Sequence, residues 1–397
     1  MTVHTPTDDL ALTPTDNSAP RPTHDPVAVA ADLAAKLATR SRHVCLLLGA
    51  GTSCAAGLPD VNVLLSRVLE SLDGAGRQLA EDLYRDRNLE EGLTRLRRIR
   101  ALLSPGEEFA GFTPETALDL EMKITASIID NLQAPAPDLA AVTAFASWAA
   151  GEFYLKPIEV FTVNYDLLIE TGLELVGASY FDGFVGSLRA HFRPDLVEPR
   201  DTAVDQLPNS FVRLWKLHGS LNWLAAENGT VVRTGSAVAQ QDMAAIYPSD
   251  EKYDQSRRVP FVVLHDRLRR ALAEPETFTL VSGYSFGDAH LNEVLFDAAR
   301  RYPRSEIAVF CYSSIPDELV TNIQPNITVV AASEAIISGE RRDWGKPEAS
   351  MTPEVWNGSS CQLGDFTSLS RFLAKARRIP GNGLESVPVE GTIGDAN

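Results

Sequence analysis

Six short, nearly continuous apolar runs constrain this chain more than any other feature. They are residues 43–49 (HVCLLLG), 158–163 (IEVFTV), 211–217 (FVRLWKL), 277–283 (TFTLVSG), 306–312 (EIAVFCY) and 326–332 (NITVVAA). Runs of this length without polar alternation are the pattern of parallel strands covered on both faces. Helical spacing separates several of them: Val61, Leu64, Leu65, Val68, Leu69 and Leu72 after Pro59-Asp60, and Leu291, Val294, Leu295 and Ala298 after Gly287-Asp288. The Ala-rich stretch 27–39 reads as a further helix, because Ala and Leu lose little entropy there. Strands alternating with helices predict an α/β fold with a doubly wound parallel sheet, whose ligands lie beyond the carboxyl ends of the strands. About residues 60–150 of mainly helical pattern separate the first two runs, far too many for a simple crossover, and read as a large helical insertion.

With 397 residues the chain is long enough for two domains, or for one with insertions. Its hydrophobic fraction of 44% supports a buried core, and no run reaches the roughly 18 apolar residues of a membrane span. A net charge of −17 repels a phosphate backbone, so direct nucleic-acid binding is not expected. The basic stretch of Arg85, Arg87, Arg95, Arg97, Arg98 and Arg100 is the exception, and reads as a solvated helix face or a docking surface for an acidic partner. The four cysteines, Cys45, Cys54, Cys311 and Cys361, form no CxxC pair, which argues against a zinc ribbon or a disulfide scaffold. The first 26 residues hold five prolines and no apolar core, the pattern of a flexible leader and not of an export signal. A cytoplasmic location with reduced thiols is therefore expected, and the sequons at Asn326 and Asn357 carry no weight.

Four segments offer chemistry. In residues 46–60 (LLLGAGTSCAAGLPD) a strand feeds a glycine turn and then a helix, which presents backbone N–H groups to an anion. Gly49 and Gly51 permit the turn and Ser53 adds a hydroxyl, but the spacing is neither the dinucleotide GxGxxG nor a Walker loop. Residues 161–166 (FTVNYD) place Asn164 and Asp166 at a strand's carboxyl end, where such residues also serve as ordinary caps. Residues 214–223 (LWKLHGSLNW) end a strand on His218 beside Gly219, a candidate base. Residues 282–293 (SGYSFGDAHLNE) offer Gly283, Ser285, Asp288, His290 and Asn292, with Asp288 also readable as a plain helix cap.

Together the four segments resemble the sirtuin family. The first is similar to its GAGxSxxxGIPD loop, the second to its TQNID motif, the third to its catalytic histidine-glycine, and the fourth to a divergent form of its Gly-Ser loop. The resemblance departs in lacking the zinc module, in reading Pro59-Asp60-Val61-Asn62 where the family has PDFR, and in placing Val163 before the asparagine. These departures weigh against protein deacylation. They resemble instead the sirtuin-like NADases of bacterial antiphage defence, some of which assemble with a HerA-type DNA-translocating ATPase.

The resemblance implies a Rossmann-variant NAD-binding domain over residues 27–59 and 151–335, the helical insertion over 60–150 and an irregular C-terminal extension over 336–397. It further implies that Gly49, Ala50, Gly51 and Ser53, assisted by Thr52, hold the pyrophosphate. Asp60, Asn164 and Asp166 surround the nicotinamide and its ribose, while Gly283, Ser285 and Asn292 hold the adenosine half. Asn164 and His218 are the implied catalytic pair, NAD+ is the substrate, and no metal is required. A homo-oligomer docked on a HerA-type ATPase is the implied assembly, with no direct contact to nucleic acid or membrane. A non-catalytic NAD or ADP-ribose sensor that regulates such a partner, and an NAD-dependent deacylase, are the alternatives.

Overall fold

The computed structural model describes residues 22–376 apart from residues 86, 88, 134–135, 152–153, 199–206, 226–229, 236–258 and 348–350. Residues 1–21 of the expected leader and residues 377–397 of the expected extension lie outside the described residues. In chain order the elements are α1 (Pro26–Ala38), β1 (Val44–Leu48), α2 (Ala50–Cys54), α3 (Val61–Ser71), α4 (Gly74–Tyr84), α5 (Leu89–Leu102), α6 (Pro114–Leu132) and α7 (Ala140–Gly151). There follow β2 (Glu159–Thr162), α8 (Leu168–Leu175), β3 (Tyr180–Phe181), β4 (Phe184–Val185), β5 (Arg189–Phe192), α9 (Pro194–Val197), β6 (Val212–Lys216), β7 (Trp223–Ala225) and β8 (Val231–Thr234). The chain closes with α10 (Phe261–Ala273), β9 (Phe278–Ser282), α11 (Ala289–Arg301), β10 (Glu306–Phe310), α12 (Asp317–Thr321), β11 (Ile327–Val330), β12 (Glu334–Ile337), β13 (Glu340–Asp343) and α13 (Phe366–Ala376).

Among the described residues the strands form a nine-stranded sheet in the order β13-β12-β11-β10-β9-β1-β2-β6-β3, and a small antiparallel sheet in the order β4-β5-β8-β7. The large sheet is parallel from β11 through β3, with β12 and β13 added as an antiparallel hairpin. β1 lies at its centre, with Leu47 opposite both Phe161 of β2 and Val281 of β9. Side chains alternate across a strand, and β1 obeys this: Val44, Leu46 and Leu48 enter one apolar layer, Cys45 and Leu47 the other. Helices α1, α7, α8 and α13 cover the first layer, and α10 and α11 the second, so the fold is α/β and doubly wound. No helix among the described residues is long and apolar enough to cross a membrane.

Helices α3 to α6 surround a third core of their own, built from Leu64, Val68, Leu83, Leu93, Leu96, Ile124 and Ile128. Their boundary differs from residues 60–150 in one respect. Val142, Phe145 and Trp148 of α7 pack into the sheet's first layer, so α7 belongs to the sheet and not to the insertion. Within the insertion the arginine stretch is engaged internally: Arg97 and Arg100 both pair with Glu121 of α6, and Arg85 pairs with Asp82. The extension expected to be irregular from residue 336 instead supplies β13 and α13, whose Phe366, Leu369 and Leu373 fill the layer beside α7. Its Gly, Pro and Ser content masked a strongly one-sided helix of only eleven residues.

At the amino ends of the strands a charge network is sealed inside the protein. Glu159, the first residue of β2, is wholly buried, and both of its oxygens are bonded by Arg267 of α10. Trp215 Nε1 donates to it at 2.7 Å and His43 Nε2 lies 2.9 Å away. Burial opposes the charge on Glu159, but Arg267 and His43 outweigh it and hold the carboxyl well below its usual range. Burial likewise opposes protonation of His43, yet Cys45 and Glu159 push the ring up to about 10 from an ordinary 6.5. A histidine raised in this way adds stability that is complete below pH 6.5 and is lost as the pH rises through about 10. Wild-type denaturant midpoints should therefore decline across that window. Glu159→Ala strands Arg267 and His43 as buried cations and should cost about 3–5 kcal/mol, measured by chemical denaturation at pH 7; a loss below about 1 kcal/mol would contradict the network's role.

Candidate functional site

Adjacent strands β9, β1, β2 and β6 all run in the same direction, so the four chemically rich segments emerge side by side at one edge of the sheet. Chain order changes side at β1, the point at which open α/β sheets form their ligand crevice. There the loops after β1 and β9 interlock through their backbones. Gly49 donates to Ser282 O at 3.0 Å and Gly51 to Gly283 O at 2.9 Å. A Cβ on Gly49 would fall 2.5 Å from Gly283 O, one on Gly51 2.7 Å from Gly283 Cα, and one on Gly283 2.4 Å from Thr52 N. Gly283 also holds a φ of +64°, in the left-handed region. The glycines are thus required by contact with one another. Gly51 N–H is committed to this contact and does not point at a ligand.

Asn164, at the end of β2, ties the third loop to this pair. Its Nδ2 lies 3.0 Å from Gly49 O, 3.1 Å from Thr52 Oγ1 and 2.9 Å from Ser53 Oγ. Gly49 O only accepts, which fixes the amide's orientation and turns Oδ1 away from the loop. Ser53 Oγ in turn donates to Asp166 Oδ2 at 2.6 Å, and Asp166 Oδ1 caps α8 by accepting from Leu168 N. Beneath the turn, the buried Lys216 Nζ bonds the carbonyl of Asp166 and lies 3.1 Å from Glu170 Oε1. Burial raises the Glu170 carboxyl, against the opposing pull of Lys216.

His218 sits one strand further on, 8% exposed, with Tyr165 and His265 of α10 beside its ring at 6.5 and 6.3 Å between centroids. Its Nε2 lies 3.5 Å from Asp288 Oδ2, across the crevice on the loop after β9. That loop is braced from within. Asn292 Nδ2 donates to Phe286 O at 2.7 Å, and the Tyr284 hydroxyl meets Asn292 Oδ1 at 2.8 Å.

The structure therefore brings Gly49, Ala50, Gly51, Thr52, Ser53, Asn164, Asp166, His218 and Gly283 to one edge, with Ser285 exposed on the same loop as Gly283. Asn292 is buried inside that loop and positions it from within. Asp60 is exposed and caps α3 by accepting from Asn62 and Val63 N–H. Asp288 and Lys216 stand outside the predicted set. The sequence offered Asp288 both as a polar residue of the last segment and as a cap, and nothing in the spacing of β6 and β9 announced that the loops after them meet.

A second cluster merits comparison, because His43, Cys45 and Glu159 present donor atoms within 4.8 Å of one another. Both carboxylate oxygens there are already bonded by Arg267, and a cation would have to displace that guanidinium. It serves as a buried ion network at the opposite end of the strands from His218.

Residues 158–328 match the family model of the SIR2-like domain. The match supports a sirtuin-like family and takes in Asn164, His218 and Gly283, and it begins after the glycine turn of residues 49–53. The interlock at Gly283 nevertheless joins that turn to the matched region. SIR2-like domains use NAD+, so NAD-related chemistry is the general expectation. No curated protein matches the chain.

The interlock leads to a direct test. Gly283→Ala adds a methyl against Thr52 N at a left-handed φ and should cost about 2–4 kcal/mol in chemical denaturation. NAD binding followed by calorimetry should be lost with it. A variant with parental stability would show that the two loops do not depend on this contact.

Proposed function

We propose that this protein is an NAD+ hydrolase that cleaves the nicotinamide–ribosyl bond to give nicotinamide and ADP-ribose. One observation carries the reading. Asn164, locked by its Nδ2 onto the glycine turn, and His218 stand at the carboxyl ends of the adjacent parallel strands β2 and β6, within the region that matches the SIR2-like domain. A polar edge at a strand end suits a dinucleotide: Thr52 and Ser53 place hydroxyl oxygens there, and Ser282 Oγ beside it is buried with no partner among the described residues.

In the reaction the C1′–nitrogen bond breaks and nicotinamide departs with the bonding electron pair as a neutral molecule. The ribosyl centre left behind carries positive charge, water adds to it, and one proton is released. Asn164 Oδ1 orients the water or a ribose hydroxyl. His218 accepts the proton and passes it to solvent. Positioning and proton transfer are the main demands, because the leaving group needs no protonation.

The wider role we propose is antiphage defence by NAD depletion, with the protein working as a homo-oligomer on a HerA-type DNA-translocating ATPase. The sequence resemblance and the net charge of −17, which leaves DNA contact to a partner, support that part.

Nicotinamide release from NAD tests the reaction. His218→Ala should lower the rate about 10²–10⁴-fold at parental stability. Asn164→Ala should lower both rate and stability, the latter by about 1–3 kcal/mol, because it also frees Ser53, Thr52 and Gly49 O. Parental turnover in the His218 variant would defeat the assignment.

A further inference from the structure

Asp288 divides its two oxygens between two tasks. Oδ1 accepts from His290 N at 2.9 Å and Leu291 N at 3.3 Å, which caps α11. Oδ2 lies 3.5 Å from His218 Nε2, and both side chains are about nine-tenths buried, at 12% and 9% exposure. A helix cap needs one oxygen, and Asn or Ser supplies it as well as Asp. The cap therefore does not account for a second, anionic oxygen aimed at the imidazole.

The loop holds that oxygen in place from three directions. Gly283 is interlocked with Gly51 at one end, and the α11 cap fixes the other. Between them, Phe286 is buried at a φ of +59° and is held by Asn292 and by ring contacts with Tyr284 and Phe296. A bulky residue in the left-handed region is strained and persists only where its surroundings over-determine it. The backbone before Asp288 is thus set by the fold.

We propose that Asp288 is the positioning residue for His218. Its Oδ2 orients the ring and selects the tautomer with hydrogen on Nε2, leaving Nδ1 as the atom that accepts the proton. The base's other nitrogen facing a carboxylate is the arrangement by which an imidazole is held in one tautomer and its charged form stabilised. At 3.5 Å the contact is electrostatic and longer than a hydrogen bond, as contacts to a base commonly are before substrate binds. The proton balance is simple: Nδ1 takes one proton from the attacking water, Asp288 stabilises the imidazolium without being protonated, and Nδ1 returns the proton to solvent. This inference rests on the hydrolase reading for its rate effects, though not for the tautomer.

Asp288→Asn and Asp288→Ser both keep a cap on α11 and test the idea. The kcat for nicotinamide release should fall about 10²-fold in each, the lower end of the cost of losing a general base, with KM and thermal midpoint near the parent's. A parental kcat in both variants would overturn the proposal, and so would a kcat loss matched by a fall in thermal midpoint. Long-range proton–nitrogen spectra of protein labelled with ¹⁵N-histidine provide a readout independent of turnover. His218 should carry its hydrogen on Nε2 in the parent and show a tautomer mixture in Asp288→Ser. The Nδ1-protonated form in the parent would overturn the positioning role. A parent that shows the Nε2 form but releases no nicotinamide would defeat the hydrolase reading and leave Asp288's role standing.

Discussion

The site depends on a backbone contact between two loops that are far apart in sequence. Gly49 and Gly51, after β1, meet Gly283, after β9, so closely that a Cβ on any of the three would overlap main-chain atoms. Such an approach is open only to glycine, and it leaves the loops no lateral freedom. Once they are locked, Thr52 and Ser53 have fixed positions, Asn164 can bond across to both, and Ser53 can reach Asp166. Each later hydrogen bond of the site presupposes the first contact.

The two ends of the central strands divide stability from chemistry. At the amino end Glu159 is saturated by Arg267, Trp215 and His43, a closed set of charges with no atom left for a ligand. At the carboxyl end the polar groups are also buried, yet they sit on loops that follow β2 and β9 and lead into α8 and α11 on opposite faces of the sheet. A polar network satisfied at every atom specifies structure, whereas one that leaves Ser282 Oγ without a partner among the described residues is suited to a ligand. The insertion built by α3 to α6 adds its own core.

Much of the fold could be read from the apolar runs, because a strand buried on both faces has no polar position to conceal it. β1, β2, β6, β9, β10 and β11 each fall within a run. The glycine turn, Asn164 and His218 were likewise visible as polar residues directly after such runs. What escaped was of two kinds. α7 and α13 belong to the sheet by packing, and packing partners separated by more than two hundred residues leave no local trace. Asp288 was legible as a polar residue of the loop after β9 and as a cap, but its contact with His218 arises only where the loops after β6 and β9 meet across two intervening strands. Gly49 and Gly51 were legible as a turn, but their reason, the approach of Gly283, is tertiary.

A crystal structure of the His218→Ala variant with NAD tests the central claim most directly, since a slowed enzyme keeps its substrate. The account predicts the pyrophosphate against the turn of residues 49–53, with the nicotinamide ribose between Asn164 Oδ1 and the space vacated by the imidazole, and the adenosine directed toward the loop that carries Gly283 and Ser285. NAD bound away from the carboxyl ends of β1, β2, β6 and β9 would contradict it.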